Sequence, residues 1–384
     1  MRESTLPIVY PLSRIPDALR APLDGHGLVI RVTVRALEGM QKEAVVARSD
    51  TGRAWRMLCD EGPYLNGTDL APPPLAYFSA GVAAHNAARI LAEAAEAGIH
   101  PGRFTMIQDT FYSMEGSALA GTMQGGALPI EVRLECPGVS EAELGKLAVA
   151  ALESSLAELF MTTSFSGAFT LTCNGARLKT RRARGSSQAV PRYAPESFGD
   201  SRPAAAERSA QLVEKCVAAE PSDDSTHGAG ASLREAQSRT LHLRNNLALT
   251  EDGQLRMQVA LRRPLGSSFS FLAESGSAAG ATARAPDGLE YMASGLALCF
   301  MTQMGRYAKI TRRDLQAYGV IQDLAFDLEG PAIASLDTHV YVETSEDEET
   351  ARRYVDMSEQ TCFLHAACRS SNPTRLSVHG LDGN

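Results

Sequence analysis

"GLEYMASGLALCFMTQMGRY", residues 288–307, is a run of small and apolar residues with one cysteine, Cys299, near its centre. A segment this long, apolar on nearly every helical face, predicts a central buried helix rather than a surface one. A thiol inside such a helix serves either packing or chemistry, and the run alone does not separate the two. A second occurrence of the stretch, without the cysteine, supplies the comparison.

Residues 71–85, "APPPLAYFSAGVAAH", align without a gap on 285–299, "APDGLEYMASGLALC", 214 residues further along. The same offset brings "MIQDTFYSMEGSALA" (106–120) onto "VIQDLAFDLEGPAIA" (320–334), through a shared IQD and a shared EG. One offset held across two blocks predicts an internal duplication. A third block, offset by 205, sets "SSLAELFMTTSFS" (154–166) on "EQTCFLHAACRSS" (359–371). "FTLTCNG" then ends one copy and "TRLSVHG" the other.

Both copies read in the same order. "GLVIRVTVRALE" with "KEAVVARSDTGRAWRML", and "RTLHLRNNLALTEDGQLRMQVAL", alternate apolar residues around Asp-Thr-Gly and Glu-Asp-Gly turns, as hairpins do. The central helix follows, over about 74–97 or 288–309. Next come two strands and a second helix that opens on Ser and acids, "SEAEL" or "SEDEE". Each copy is therefore an α+β unit. The predicted boundaries are an N-terminal extension (1–26), a first repeat (27–176), a linker with one helix (177–238, the helix at 203–220) and a second repeat (239–384). Cys216, on the linker helix, reads as a spare thiol.

With 44% hydrophobic and 21% charged residues over 384 positions, the chain has a globular composition. Its net charge of −8 argues against a nucleic-acid partner, and the basic run "RLKTRRAR" (177–184) reads as solvated linker. No apolar stretch reaches the roughly 18 residues of a membrane span. "MRESTLPIVYPLSRIPDAL" lacks a signal-peptide core, so a cytoplasmic location is expected. Seven widely spaced cysteines do not suggest a disulfide framework. In a reducing compartment, a pair that does oxidise is catalytic sooner than structural.

The chain resembles the OsmC/Ohr family, through the proline-led central helix from Pro286 to Cys299, the second-helix cysteine Cys362 in "SEQTCFLHAAC", and the closing strand. The likeness covers nearly the whole of each copy. It implies two OsmC-like repeats, each an antiparallel sheet with a long buried central helix and a second helix. Family members are homodimers whose central helices pack at the subunit interface, so a tandem copy implies a pseudo-dimer within one chain. Whether that pseudo-dimer pairs again is left open.

Comparing the copies sorts the candidates. Gln108/Gln322, Asp109/Asp323, Glu115/Glu329 and Gly116/Gly330 occur twice and read first as fold residues, with Asp323 retained as a candidate binding residue. Cys299 faces His85, and Cys362 faces Ala157. One copy keeps both thiols and the other has neither, which favours a coupled role. Such a pair suits peroxide reduction: a thiolate attacks oxygen, becomes a sulfenic acid, and a second thiol condenses with it. Cys299 would attack and Cys362 resolve. By the resemblance, an arginine held by a glutamate ionises the first thiol. Arg244, Arg256, Arg262, Arg263, Arg31 and Arg53 are all candidates. The family's glutamate stands ten residues before the first cysteine, where this chain has Leu289. Glu290, one position on and about 100° around the helix, is the candidate in its place.

Other motifs carry less. "CFLHAAC" spaces Cys362, His365 and Cys368 along one helical face. Metal sites usually close with four ligands, so no metal is expected. His365 reads as a polar neighbour of Cys362, and Cys368 as core. His85 reads as a satisfied histidine at a degenerate position and stays a candidate binding residue. "GSALAGTMQGG" (116–126) lacks phosphate-loop spacing, and Trp55 reads as core. The expectation is a cofactor-free thiol redox enzyme acting on an organic hydroperoxide, recycled by a dithiol such as a lipoyl group or by a small thiol. The alternatives are a Cys299-dependent enzyme with another electrophile, and a non-catalytic ligand- or partner-binding module.

Overall fold

A computed structural model describes residues 7–23, 27–201, 211–217, 237–276 and 283–379. The chain opens with strands β1 (Val9–Pro11), β2 (Gly27–Ala36), β3 (Lys42–Arg48) and β4 (Ala54–Cys59), then the long helix α1 (Pro74–Glu96). Strands β5 (Thr105–Gly116), β6 (Gln124–Ala127) and β7 (Glu131–Glu135) follow, with helices α2 (Glu141–Glu153) and α3 (Leu156–Thr162) and strands β8 (Ala168–Cys173) and β9 (Ala176–Leu178). Beyond β10 (Val213–Val217), the order recurs as β11 (Gln237–Leu249), β12 (Gln254–Arg263), β13 (Ser268–Glu274) and helix α4 (Gly288–Thr311). It closes with β14 (Ala317–Asp327), β15 (Ala332–Glu343), α5 (Glu348–Thr361), α6 (Phe363–Arg369) and β16 (Arg375–His379). The fold is mixed α+β, as the patterning predicts.

Two sheets flank the helices. One runs β1-β4-β3-β2-β14-β15-β8-β9, and the other β10-β13-β12-β11-β5-β7-β16 with β6 on β5. Both differ from the expectation of one antiparallel sheet per half. Strands β2–β4 pair through β2 with β14 of the later half, and β11–β13 pair through β11 with β5 of the earlier one. The last strand of each half is also exchanged, β8 lying parallel to β15 and β16 parallel to β7. Alternation in a sequence fixes which face of a strand is buried, but it does not name the neighbouring strand.

Helix α4 packs on the first sheet, α1 on the second, and the two helices on each other. Their contact depends on glycines. A Cβ on Gly81 would lie 2.2 Å from the backbone nitrogen of Met292, and one on Gly295 would lie 2.5 Å from that of Phe78. Helices this apolar need such close approach to bury their small side chains. Trp55 lies in this core, 2% exposed.

The expected linker is structured where it is described. Segment 181–183 is tied to α5: Arg181 pairs with Glu349, and the backbone N–H groups of Arg182 and Ala183 both donate to Asp356 Oδ1 at 3.0 Å. Farther along, Tyr193 stacks on Tyr341, and Phe198 lies beneath Arg35 and Arg56, covering the outer face of the first sheet. The helix expected over 203–220 is corrected at 213–217, which form β10 antiparallel to β13. An uncovered sheet edge offers that backbone a row of partners, which outweighs a weak helical preference. Residues 203–210 and 218–220 of that stretch lie outside the described residues. None of the described helices is long and apolar enough to cross a membrane.

Candidate active site

The start of α4 is fixed by a capping box. The Asp287 side chain accepts from the Glu290 N–H at 3.0 Å, and Glu290 accepts from the Asp287 N–H at 2.8 Å. Arg53, from the turn between β3 and β4, clasps the Glu290 carboxylate at 2.9 and 3.1 Å and also reaches Asp287 at 2.9 Å. Glu290 is fully buried. Burial, with Asp287 close by, lifts its carboxyl to about 7 against the pull of Arg53. This cluster caps the helix and fastens the hairpin to it. The hydrogen bonds of the Glu290 carboxylate thus run to Arg53 and the helix start.

Cys299 and Cys362 do meet. The expected single second helix is broken at Cys362, whose extended backbone (φ −72°, ψ 118°) ends α5 and begins α6. That corner brings its sulfur beside the Cys299 thiol, close enough for each to shift the other's ionisation. His365, one turn into α6, brings Nδ1 to 3.3 Å from the Cys362 sulfur. Both thiols are buried, as is His365 at 1% exposed. Burial pushes Cys299 well above the usual thiol range, and the neighbouring Cys362 sulfur adds to this. Burial also opposes ionisation of Cys362, but the Cys299 thiol and His365 outweigh it and hold that sulfur well below the usual range. The pair's negative charge therefore rests on Cys362, because His365 attends that sulfur alone. Cys368 donates to the Leu364 carbonyl at 3.2 Å, within the core.

A small cavity of about 30 Å³ lies against Cys299, with room for roughly one water-sized group. Leu241, Leu261 and Phe363 form its apolar side, and Glu61, Thr302 and Gln303 its polar side. Glu61 and Tyr64 come from the loop after β4, so the earlier half completes a site whose thiols belong to the later one. Sequence reading missed Glu61. The signal was available, since at the 214-residue offset Glu61 faces Ser275, Thr302 faces Ala88 and Arg306 faces Ala92.

The remaining candidates lie apart from the thiols. Asp323 is clasped by Arg31, its cross-strand partner, at 2.8 and 2.7 Å; Asp109 is clasped in the same way by Arg244, at 2.8 Å twice. These are inter-strand ties, which suits the occurrence of the aspartate in both halves. His85 packs where α1 crosses α4, a Cβ on Gly288 coming within 2.4 Å of its backbone nitrogen. Burial holds its ring neutral, down to about 4, with nearby Asp287 opposing. An unfolded histidine titrates near 6.5, so the unfolded chain gains a proton that His85 refuses in the fold. Stability is then lost as pH falls from about 6.5 to 4. Since His85 keeps some solvent contact, the loss is on the order of 2 kcal/mol. Urea unfolding at pH 7 and 4.5 should show that much less acid sensitivity in His85→Gln than in the parent chain.

Among the described residues, no group of three or more His, Cys, Asp or Glu is placed to hold a metal ion. Residues 280–377 match the family model of OsmC-like proteins. The crystal structure of an OsmC-like hydroperoxide resistance protein from Jannaschia sp. CCS1 is 19% identical; the match covers 33% of this chain and 85% of that one, at a TM-score of 0.22. No curated protein matches the chain.

Proposed function

We propose that the chain is a thiol-dependent hydroperoxide reductase, built as a tandem pair of OsmC-like units with one working site. The observation that carries this reading is the meeting of Cys299 and Cys362 beside a cavity, with His365 on the second sulfur. The proton of Cys299 passes to Cys362 as the Cys299 sulfur attacks the terminal peroxide oxygen. The O–O bond breaks, leaving a sulfenic acid on Cys299 and releasing an alcohol. Cys362 then attacks that sulfur, expels water and closes a disulfide. A dithiol, of lipoyl type or a small thiol, returns both sulfurs to thiols. The cycle requires a reducing compartment, and we assign it to the cytoplasm.

Paired contacts support the tandem reading. Tyr77 donates to the Leu58 carbonyl as Tyr291 does to that of Leu272, and Gly81 meets Met292 as Gly295 meets Phe78. Each pair is related by 214 positions. The central helices thus find within one chain the interface for which the family pairs two. A second reading, a Cys299-dependent enzyme with a non-peroxide electrophile, is favoured by the engagement of Glu290 in the cap of the helix with Asp287. One equivalent of cumene hydroperoxide separates the readings. Loss of two thiols, with a Cys299–Cys362 peptide in the non-reducing digest, is the expected result. An unchanged thiol count overturns the peroxidase reading.

A further inference from the structure

We propose that Glu61, carried to the Cys299 cavity by the loop after β4, donates the proton taken up by the alkoxide that leaves when Cys299 attacks a hydroperoxide. The inference rests on the thiol-peroxidase reading above and assigns that site a residue the thiol pair does not supply. Attack by a thiolate on ROOH yields RO⁻, a strong base, while the proton of Cys299 has passed to Cys362, which does not line the cavity as Glu61 does. An acid within the cavity completes the step: RO⁻ and the Glu61 carboxylic acid give ROH and the Glu61 carboxylate. As the disulfide closes, the proton of the Cys362 thiol leaves with the expelled hydroxide as water, and the Glu61 carboxylate regains its proton from solvent.

Three observations support this role. Glu61 is 4% exposed and lines the same cavity as Cys299. Its orientation is held by the Tyr64 hydroxyl, which donates to Oε2 at 2.8 Å, while the loop behind it is gathered on Asp60, whose carboxylate accepts from Glu61, Thr68 and Leu70. Thr302, from the turn of α4 after Cys299, faces it with a hydroxyl that has no formed hydrogen bond. The charges facing Glu61 are Lys42 on β3, Asp60 beside it and Arg306 on α4. Burial outweighs Lys42 and raises the carboxyl above its ordinary range, which favours the protonated form a donor requires. The ionised form would oppose a thiolate at Cys299. General acids of this kind contribute about 100- to 10,000-fold.

The nature of the leaving group tests the assignment. The tert-butoxide released from tert-butyl hydroperoxide needs a proton, whereas the acetate released from peracetic acid does not. In Glu61→Gln, which can still accept from Tyr64, single-turnover oxidation by tert-butyl hydroperoxide should slow by about 100-fold, with peracetic acid changing less than about threefold. Glu61→Asp, which keeps an acid, should recover part of the alkyl hydroperoxide rate. Equal losses with both oxidants, or no loss with either, overturn the inference and leave the peroxidase reading standing. A wild-type chain whose Cys299 resists both oxidants overturns the peroxidase reading as well.

Discussion

Cys299→Ser should abolish hydroperoxide reduction, lowering the rate by at least about 1,000-fold, while Cys362→Ser leaves a slower first turnover and no second. Removing the attacking atom of a unit costs nearly everything that unit supplies. Removing its partner takes away the proton acceptor and the resolving sulfur, so Cys299 should stop as a sulfenic acid. Single-turnover kinetics, with dimedone labelling of the stalled sulfenate, measures both effects. Steady turnover by the Cys362→Ser chain would remove the resolving role. Activity surviving in Cys299→Ser would remove the site.

The second large effect falls on the helix crossing. Glycine to alanine within a helix ordinarily gains about 1 kcal/mol. At Gly295 the added carbon meets backbone atoms of the facing helix, Phe78 N at 2.5 Å and Pro74 O at 2.8 Å, which cannot swing aside. Gly295→Ala should therefore cost about 3 kcal/mol, because α1 and α4 must separate along a packed seam. Gly305→Ala is the internal control. There the new carbon meets only the end of the Tyr318 side chain, at 2.3 Å, and the cost should stay within about 1 kcal/mol. Urea unfolding of the two variants checks the ranking, and equal costs would show that the crossing tolerates separation.

Much of the local structure was legible. The central helices were expected at 74–97 and 288–309 and occupy Pro74–Glu96 and Gly288–Thr311, because a long run of small and apolar residues has few other ways to bury itself. The hairpins and the IQD strands also stand where their alternation puts them. The break at Cys362 was not legible, since the residues on both sides of it favour helix. The capping role of Glu290 was not legible either. A spacing one residue from the family's pattern suggested a shifted catalytic group, whereas the residue completes a capping box that Asp287 and Arg53 require.

By itself, the sequence determined the two central helices and the hairpin strands, and it places both Cys299 and Cys362 in the later half. Helix capping, side-chain periodicity and residue size are local properties, and a chain carries them wherever it is placed. Tertiary structure alone decided which strands became neighbours, and with that decision it brought Glu61 to Cys299 and Arg53 to Glu290. Strand pairing is satisfied by any edge of matching register, so its outcome depends on how the two halves pack and not on any single segment.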